Sequence, residues 1–116
     1  MSTVLEVGTS EFDEKALRAG GLVVVDFSAK WCGPCQRMLP ELKAAAGELG
    51  ETVTFLKVDV DEAPEVAMRY GVQSVPNITI LKDGQVVDTV IGAMPKSAIL
   101  SRVKRHLDAA AQQRTG

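Results

Sequence analysis

The chain has 116 residues, of which 46% are hydrophobic and 24% charged, a balance that supports one globular domain and excludes a disordered chain. Thirteen basic against fifteen acidic residues leave a net charge of −2 with no long basic run, which argues against nucleic acid or an anionic membrane surface as partner. No apolar stretch approaches the roughly 20 residues needed to span a bilayer.

In chain order, residues 3–6 read as a short edge strand. Ser10 reads as an N-cap opening a short helix to about Ala19, with Gly20 and Gly21 stopping it. Leu22-Val23-Val24-Val25-Asp26-Phe27 is an almost unbroken apolar run, the pattern of a strand covered on both faces. Met38, Leu39, Leu42, Ala45, Ala46 and Leu49 then recur at helical spacing, so a helix is expected from Gly33 to about Leu49, kinked at Pro40. Val53 to Val58 is a second strand, and Pro64 suits the first turn of a helix that Gly71 ends. Ile78 to Leu81, Asp83-Gly84 and Val86-Val87 make a hairpin, and Pro95 opens a last amphipathic helix through Ile99, Val103 and Leu107. The order β-α-β-α-β-α-β-β-α implies an α/β domain, a mixed sheet flanked by helices on both faces, over residues 1–108. Ala109 to Gly116 is expected to form a short fraying tail.

Both cysteines lie in Trp31-Cys32-Gly33-Pro34-Cys35, where the apolar strand gives way to a helix. A bridge between them would close almost no loop, so redox chemistry is a stronger reading than a structural staple. The first helical turn offers unpaired N–H groups and a positive partial charge, which favour a thiolate over a thiol. An ordinary thiol with a pKa of about 8.5 is only about 3% ionised at pH 7, so any lowering greatly raises its nucleophilic fraction. Cys32 is the candidate nucleophile and Cys35, one turn further in, the candidate resolving thiol; Gly33 and Pro34 shape the turn between them. A structural zinc site needs four ligands, and this chain has no third cysteine and one histidine, His106, expected as a solvated residue of the last helix.

Asp26 interrupts the apolar strand just before the cysteine motif. A carboxylate buried there is costly and its pKa rises, which suits an acid/base that takes a proton from Cys35; at a strand end it would simply reach water. Lys57, on the neighbouring strand, can partly compensate it, or can be an ordinary outward-facing lysine. Pro76 reads by itself as a trans proline at a strand start.

These separated motifs resemble the thioredoxin family: Val25-Asp26-Phe27, the Trp31–Cys35 motif, Pro40, Lys57-Val58-Asp59, Tyr70-Gly71-Val72, Val75-Pro76, Asp83-Gly84 and Ile91-Gly92-Ala93. The resemblance covers about residues 4–107. It implies Pro76 in cis facing the cysteines, and an apolar groove of Trp31, Gly33, Pro34, Val75, Pro76, Gly92 and Ala93 in which a target pairs with the backbone of Val75. It implies a protein-disulfide reductase with no bound cofactor, electrons coming from NADPH through a separate flavin-containing thioredoxin reductase. Disulfide-containing proteins are the implied substrates and a monomer the default state. A cytoplasmic location is expected, because Met1 to Gly8 lacks a basic segment followed by an apolar one. An isomerase or oxidant of the same fold, and a redox-inactive binding module, are the alternatives. Ser28, Ser74 and Asn77 depart from the family's usual aromatic, Gly and Thr, which bears on target preference and redox poise.

Overall fold

The computed structural model describes residues 3–115, with side chains described through Leu107. The elements are β1 (Val4–Glu6), α1 (Thr9–Phe12) running into a π-helical turn (Asp13–Leu17), β2 (Leu22–Ser28), α2 (Gly33–Leu49), β3 (Val53–Asp59), α3 (Pro64–Arg69), β4 (Asn77–Lys82), β5 (Gln85–Ile91) and α4 (Lys96–Thr115). The expected order is therefore the observed one.

The five strands form one sheet in the order β1-β3-β2-β4-β5. β2 runs parallel to β3 and antiparallel to β4, so it lies in the middle of a mixed sheet, and all seven of its residues are buried. This accounts for its unbroken apolar sequence: both faces are covered. Val23, Val25 and Phe27 pack with Phe12, Ala16 and Val66 under α1 and α3. Leu22 and Val24 pack with Met38, Leu42, Ala45 and Ala46 of α2 and with Ile99 and Val103 of α4. The sheet is thus sandwiched between two helical layers, and the C-terminal end of β2 is delivered to the start of α2.

Two local expectations change. The N-cap of α1 is Gly8, not Ser10, because the Glu11 carboxylate reaches back to accept from the Gly8 N–H (3.3 Å). α2 spans Gly33–Leu49 as expected, with Pro40 inside it removing one N–H from the ladder. His106 is not a solvated residue: its side chain is 17% exposed and Nε2 lies 2.9 Å from Asp88 Oδ2 of β5. Sequence periodicity shows which face of α4 is apolar, but not that its polar flank crosses a charged residue of β5. The side chains of the expected tail, residues 109–116, lie outside the described residues.

Candidate active site

Cys32 is the N-cap residue of α2, and its sulfur accepts from the Cys35 N–H at 3.2 Å. Its extended backbone (φ −91°, ψ 107°) ends the β2–α2 connection, and the Cys32 N–H donates to Ala29 O (3.2 Å). Pro34 sits in the first turn, where its missing N–H costs no helical bond. Cys32 and Cys35 are joined as a disulfide with their Cα atoms 5.3 Å apart. The sulfur of Cys32 therefore sits at the end of α2 where unpaired amides and the helix field favour negative charge.

Trp31 stands out from this turn, 72% exposed, with Nε1 donating to Asp61 Oδ2 at 2.8 Å. Asp61 is itself positioned by a tight turn after β3, in which Asp59 Oδ1 accepts from the Asp61 and Glu62 N–H groups (2.8 and 3.2 Å). Asp61 is a site residue that the sequence reading missed. The signal was the acidic run Asp59-Val60-Asp61-Glu62 at the end of a strand, a pattern that favours a side-chain-capped turn.

The Val75–Pro76 peptide is cis, as the family resemblance implies. Val75 packs against the buried Ala29, Cys32 and Cys35. Four of the seven residues expected to form the target groove, Trp31, Val75, Pro34 and Ala93, line two depressions, and Gly33, Pro76 and Gly92 line neither. Trp31 and Val75 line one, together with Val60, Val72, Gln73 and Ser74. Pro34 and Ala93 line the other. The Gly92 N–H donates to Pro76 O (2.9 Å), and the φ of +108° at Gly92 makes the turn that only glycine takes easily.

Asp26 is 1% exposed, on the β2 face that packs under α2. Both its carboxylate oxygens and the hydroxyl of Ser28, two residues along the same face, lack a protein hydrogen-bond partner among the described residues. Burial pushes the Asp26 carboxyl up from 3.8 to about 7, and the Lys57 ammonium opposes part of that rise. Lys57 is the register partner of Asp26 on β3, and its Nζ also lies 3.9 Å from Glu6 Oε1 of β1. The fold thus brings Asp26 and Lys57 together and keeps the carboxyl half-protonated near neutrality. Among the described residues, no three His, Cys, Asp or Glu side chains are arranged to hold a metal ion.

Residues 3–105 match the family model for thioredoxin. The chain belongs to the thioredoxin family. It is 41% identical over 107 residues to thioredoxin 1 of Synechococcus elongatus, an alignment covering 92% of this chain and all of that one. It is 46% identical over 87 residues to the thioredoxin of Bacillus subtilis, covering 75% and 84% of the two chains. Its fold is similar to that of a mutant thioredoxin from Halobacterium salinarum, with a TM-score of 0.81, 33% identity and 89% of each chain covered. With the family's cysteine pair at the start of α2, the chain is a thiol–disulfide oxidoreductase that works through its own cysteines rather than a prosthetic group.

Proposed function

We propose that this thioredoxin-family chain is a general reductase of protein disulfides in which Cys32 attacks and Cys35 resolves. The observation that carries the assignment is the Cys35 N–H pointing at the Cys32 sulfur at the start of α2, because that geometry stabilises a thiolate on Cys32. The Cys32 thiolate attacks one sulfur of the target disulfide; a Cys32–target bond forms and the other target sulfur leaves as a thiolate, which takes a proton. Cys35 passes its proton to the Asp26 carboxylate, and its thiolate attacks the Cys32 sulfur. The second target thiol is released and the Cys32–Cys35 disulfide remains. Lys57 keeps enough Asp26 ionised near neutral pH to serve as acceptor. Trp31, Gly33, Pro34, Val75, Pro76, Gly92 and Ala93 receive the target. A flavin-containing thioredoxin reductase, drawing on NADPH, returns the disulfide to the dithiol. The chain acts as a monomer in the cytoplasm, away from membranes and nucleic acid.

The test is a titration of the Cys32/Cys35 couple against a dithiol redox buffer, followed by the fluorescence of Trp31, the one tryptophan. A midpoint of about −270 mV, the established value for thioredoxin itself, supports a reductase. A midpoint of about −180 mV or higher points to an isomerase or oxidant, and a difference of about 30 mV (about 1.4 kcal/mol for two electrons) is easily resolved.

A further inference from the structure

An open groove of about 360 Å³ adjoins the cysteine motif. Pro34 and Met38 of α2 form one wall and Ala93, Met94 and Pro95, between β5 and α4, form the other. Two bonds fix its width: the Met94 N–H donates to Met38 Sδ (3.4 Å), and the Lys96 N–H donates to Glu41 Oε1 (2.8 Å). Pro34 and Ala93 belong both to this groove and to the surface assigned to targets, so the groove continues that surface along α2.

Its two charged residues, Arg37 and Glu41, are not equivalent. Glu41 is already engaged by the Lys96 amide. Nearby Lys30 and Lys96 are paired with Glu62 (3.8 Å) and Glu48 (2.9 Å). Arg37 is exposed and makes no hydrogen bond or ion pair with another described residue. Its guanidinium folds back over Gly33: a Cβ built on that glycine would lie 3.2 Å from Arg37 Nη1. A cation at this end of a helix opposes the helix field and gains nothing from it. An unpaired arginine held beside the cysteine motif, in a groove with apolar methionine walls, is matched by an anion that arrives with the target.

We propose that this groove binds the segment of a disulfide-bearing protein that flanks its attacked cysteine, and that Arg37 selects an aspartate or glutamate in it. Met38 and Met94 accept the neighbouring apolar side chains, methionine being adaptable enough to fit varied partners. Glu41, one helical turn beyond Arg37, disfavours acid at the far end of the groove and so sets the order of charge along the segment. The inference rests on the reductase reading above and adds a substrate preference to it.

The test uses two cystine-bridged peptides that are identical except for Glu or Lys at the positions flanking the attacked cysteine. The second-order rate of each with the reduced full-length protein is followed by Trp31 fluorescence. The wild type is expected to favour the acidic peptide about threefold at low salt, the size of one exposed charge pair, and to lose that preference in about 0.5 M salt. Arg37→Gln abolishes the preference and Arg37→Glu reverses it. Equal losses on both peptides overturn the proposal, because Arg37 then acts on Cys32 rather than on the target; so does a wild type that treats the peptides alike. A wild type that oxidises its dithiol with neither peptide brings down the reductase reading first, and this inference with it.

Discussion

Asp26 and Asp88 are the same side chain in opposite surroundings. Asp26 is sealed into the middle of the sheet with no hydrogen bond to its oxygens from the described residues, and burial lifts it to about 7. Asp88 on β5 accepts from Arg102 Nε and Nη2 of α4 (2.6 and 3.1 Å) and lies 2.9 Å from His106 Nε2. The Arg102 hydrogen bond, with smaller help from His106, holds it down at about 2. The contrast separates the carboxyl proposed to serve chemistry from one that serves structure. An unsatisfied carboxyl costs stability and gains a titration near neutrality, whereas a satisfied one fastens a helix to a strand and is inert across the physiological range.

The largest effect follows from removing the costly one. The pKa of Asp26 is raised on folding, so the unfolded chain ionises first as pH rises, and stability is lost between about pH 4 and 7. A rise of roughly three units corresponds to about 4 kcal/mol by pH 8. Asp26→Asn is therefore expected to stabilise the oxidised protein by up to about 4 kcal/mol at pH 8 and by little at pH 4. Denaturant unfolding at the two pH values measures this, and equal stabilisation at both would break the comparison. The same variant should slow release of the mixed disulfide by about a hundredfold, the usual contribution of a positioned base. Quenched-flow detection of the mixed disulfide reads that step.

Asp88 has the opposite sign. Its pKa is depressed, so its contribution is present above about pH 4 and is lost as pH falls toward 2. Because Arg102 is partly exposed, Asp88→Asn is expected to cost only about 1–2 kcal/mol at pH 7 and nothing at pH 2, with catalysis unchanged. For these two groups together, stability peaks near pH 4. Thermal melts across pH 2 to 8 sharpen the comparison if the wild type falls on both sides of that point and each variant flattens one side.

Lys57→Gln sharpens it from within the site. Loss of the opposing cation moves the Asp26 midpoint further up, visible in the pH dependence of resolution, whereas titration of Asp88 stays where it is. The smallest effect concerns the indole. Asp61→Ala removes the partner of Trp31 Nε1 and, as an exposed hydrogen bond, is expected to cost at most about 1 kcal/mol and to lower target reduction a few-fold. Trp31 anisotropy checks whether the ring has been released.

Much of this was legible in the sequence because it is local. The run from Leu22 to Phe27 marked a strand covered on both faces, and helical spacing from Met38 to Leu49 placed α2 with its first turn inside the cysteine motif. Asp26 was conspicuous because a carboxylate in an apolar run has few innocent explanations. Contacts between distant segments were not legible. Arg102 and His106 lie 14 and 18 residues from Asp88, and they meet it only because α4 folds back across β5. Asp61 reaches Trp31 across 30 residues, and no periodicity encodes that meeting. The start of α1 was misplaced because Ser10 offers a hydroxyl, whereas the cap observed is assembled by the side chain of Glu11 reaching backward.

The charge cluster on α4 also bears on how this sheet behaves in a crowd. β5 lies at one border of the sheet with a free row of backbone donors and acceptors, and Asp88 is the one charged residue in Gln85-Val86-Val87-Asp88-Thr89-Val90-Ile91. Without it that strand is a seven-residue run of high β-propensity with no charge and no proline, the composition that stacks into fibrils. A charged side chain on a border strand discourages a second chain from adding to it. Arg102 and His106 hold that charge in the folded state. Neutralising Asp88 removes the one charge from this border strand, and is expected to raise self-association in concentrated solution as well as to lower the melting temperature.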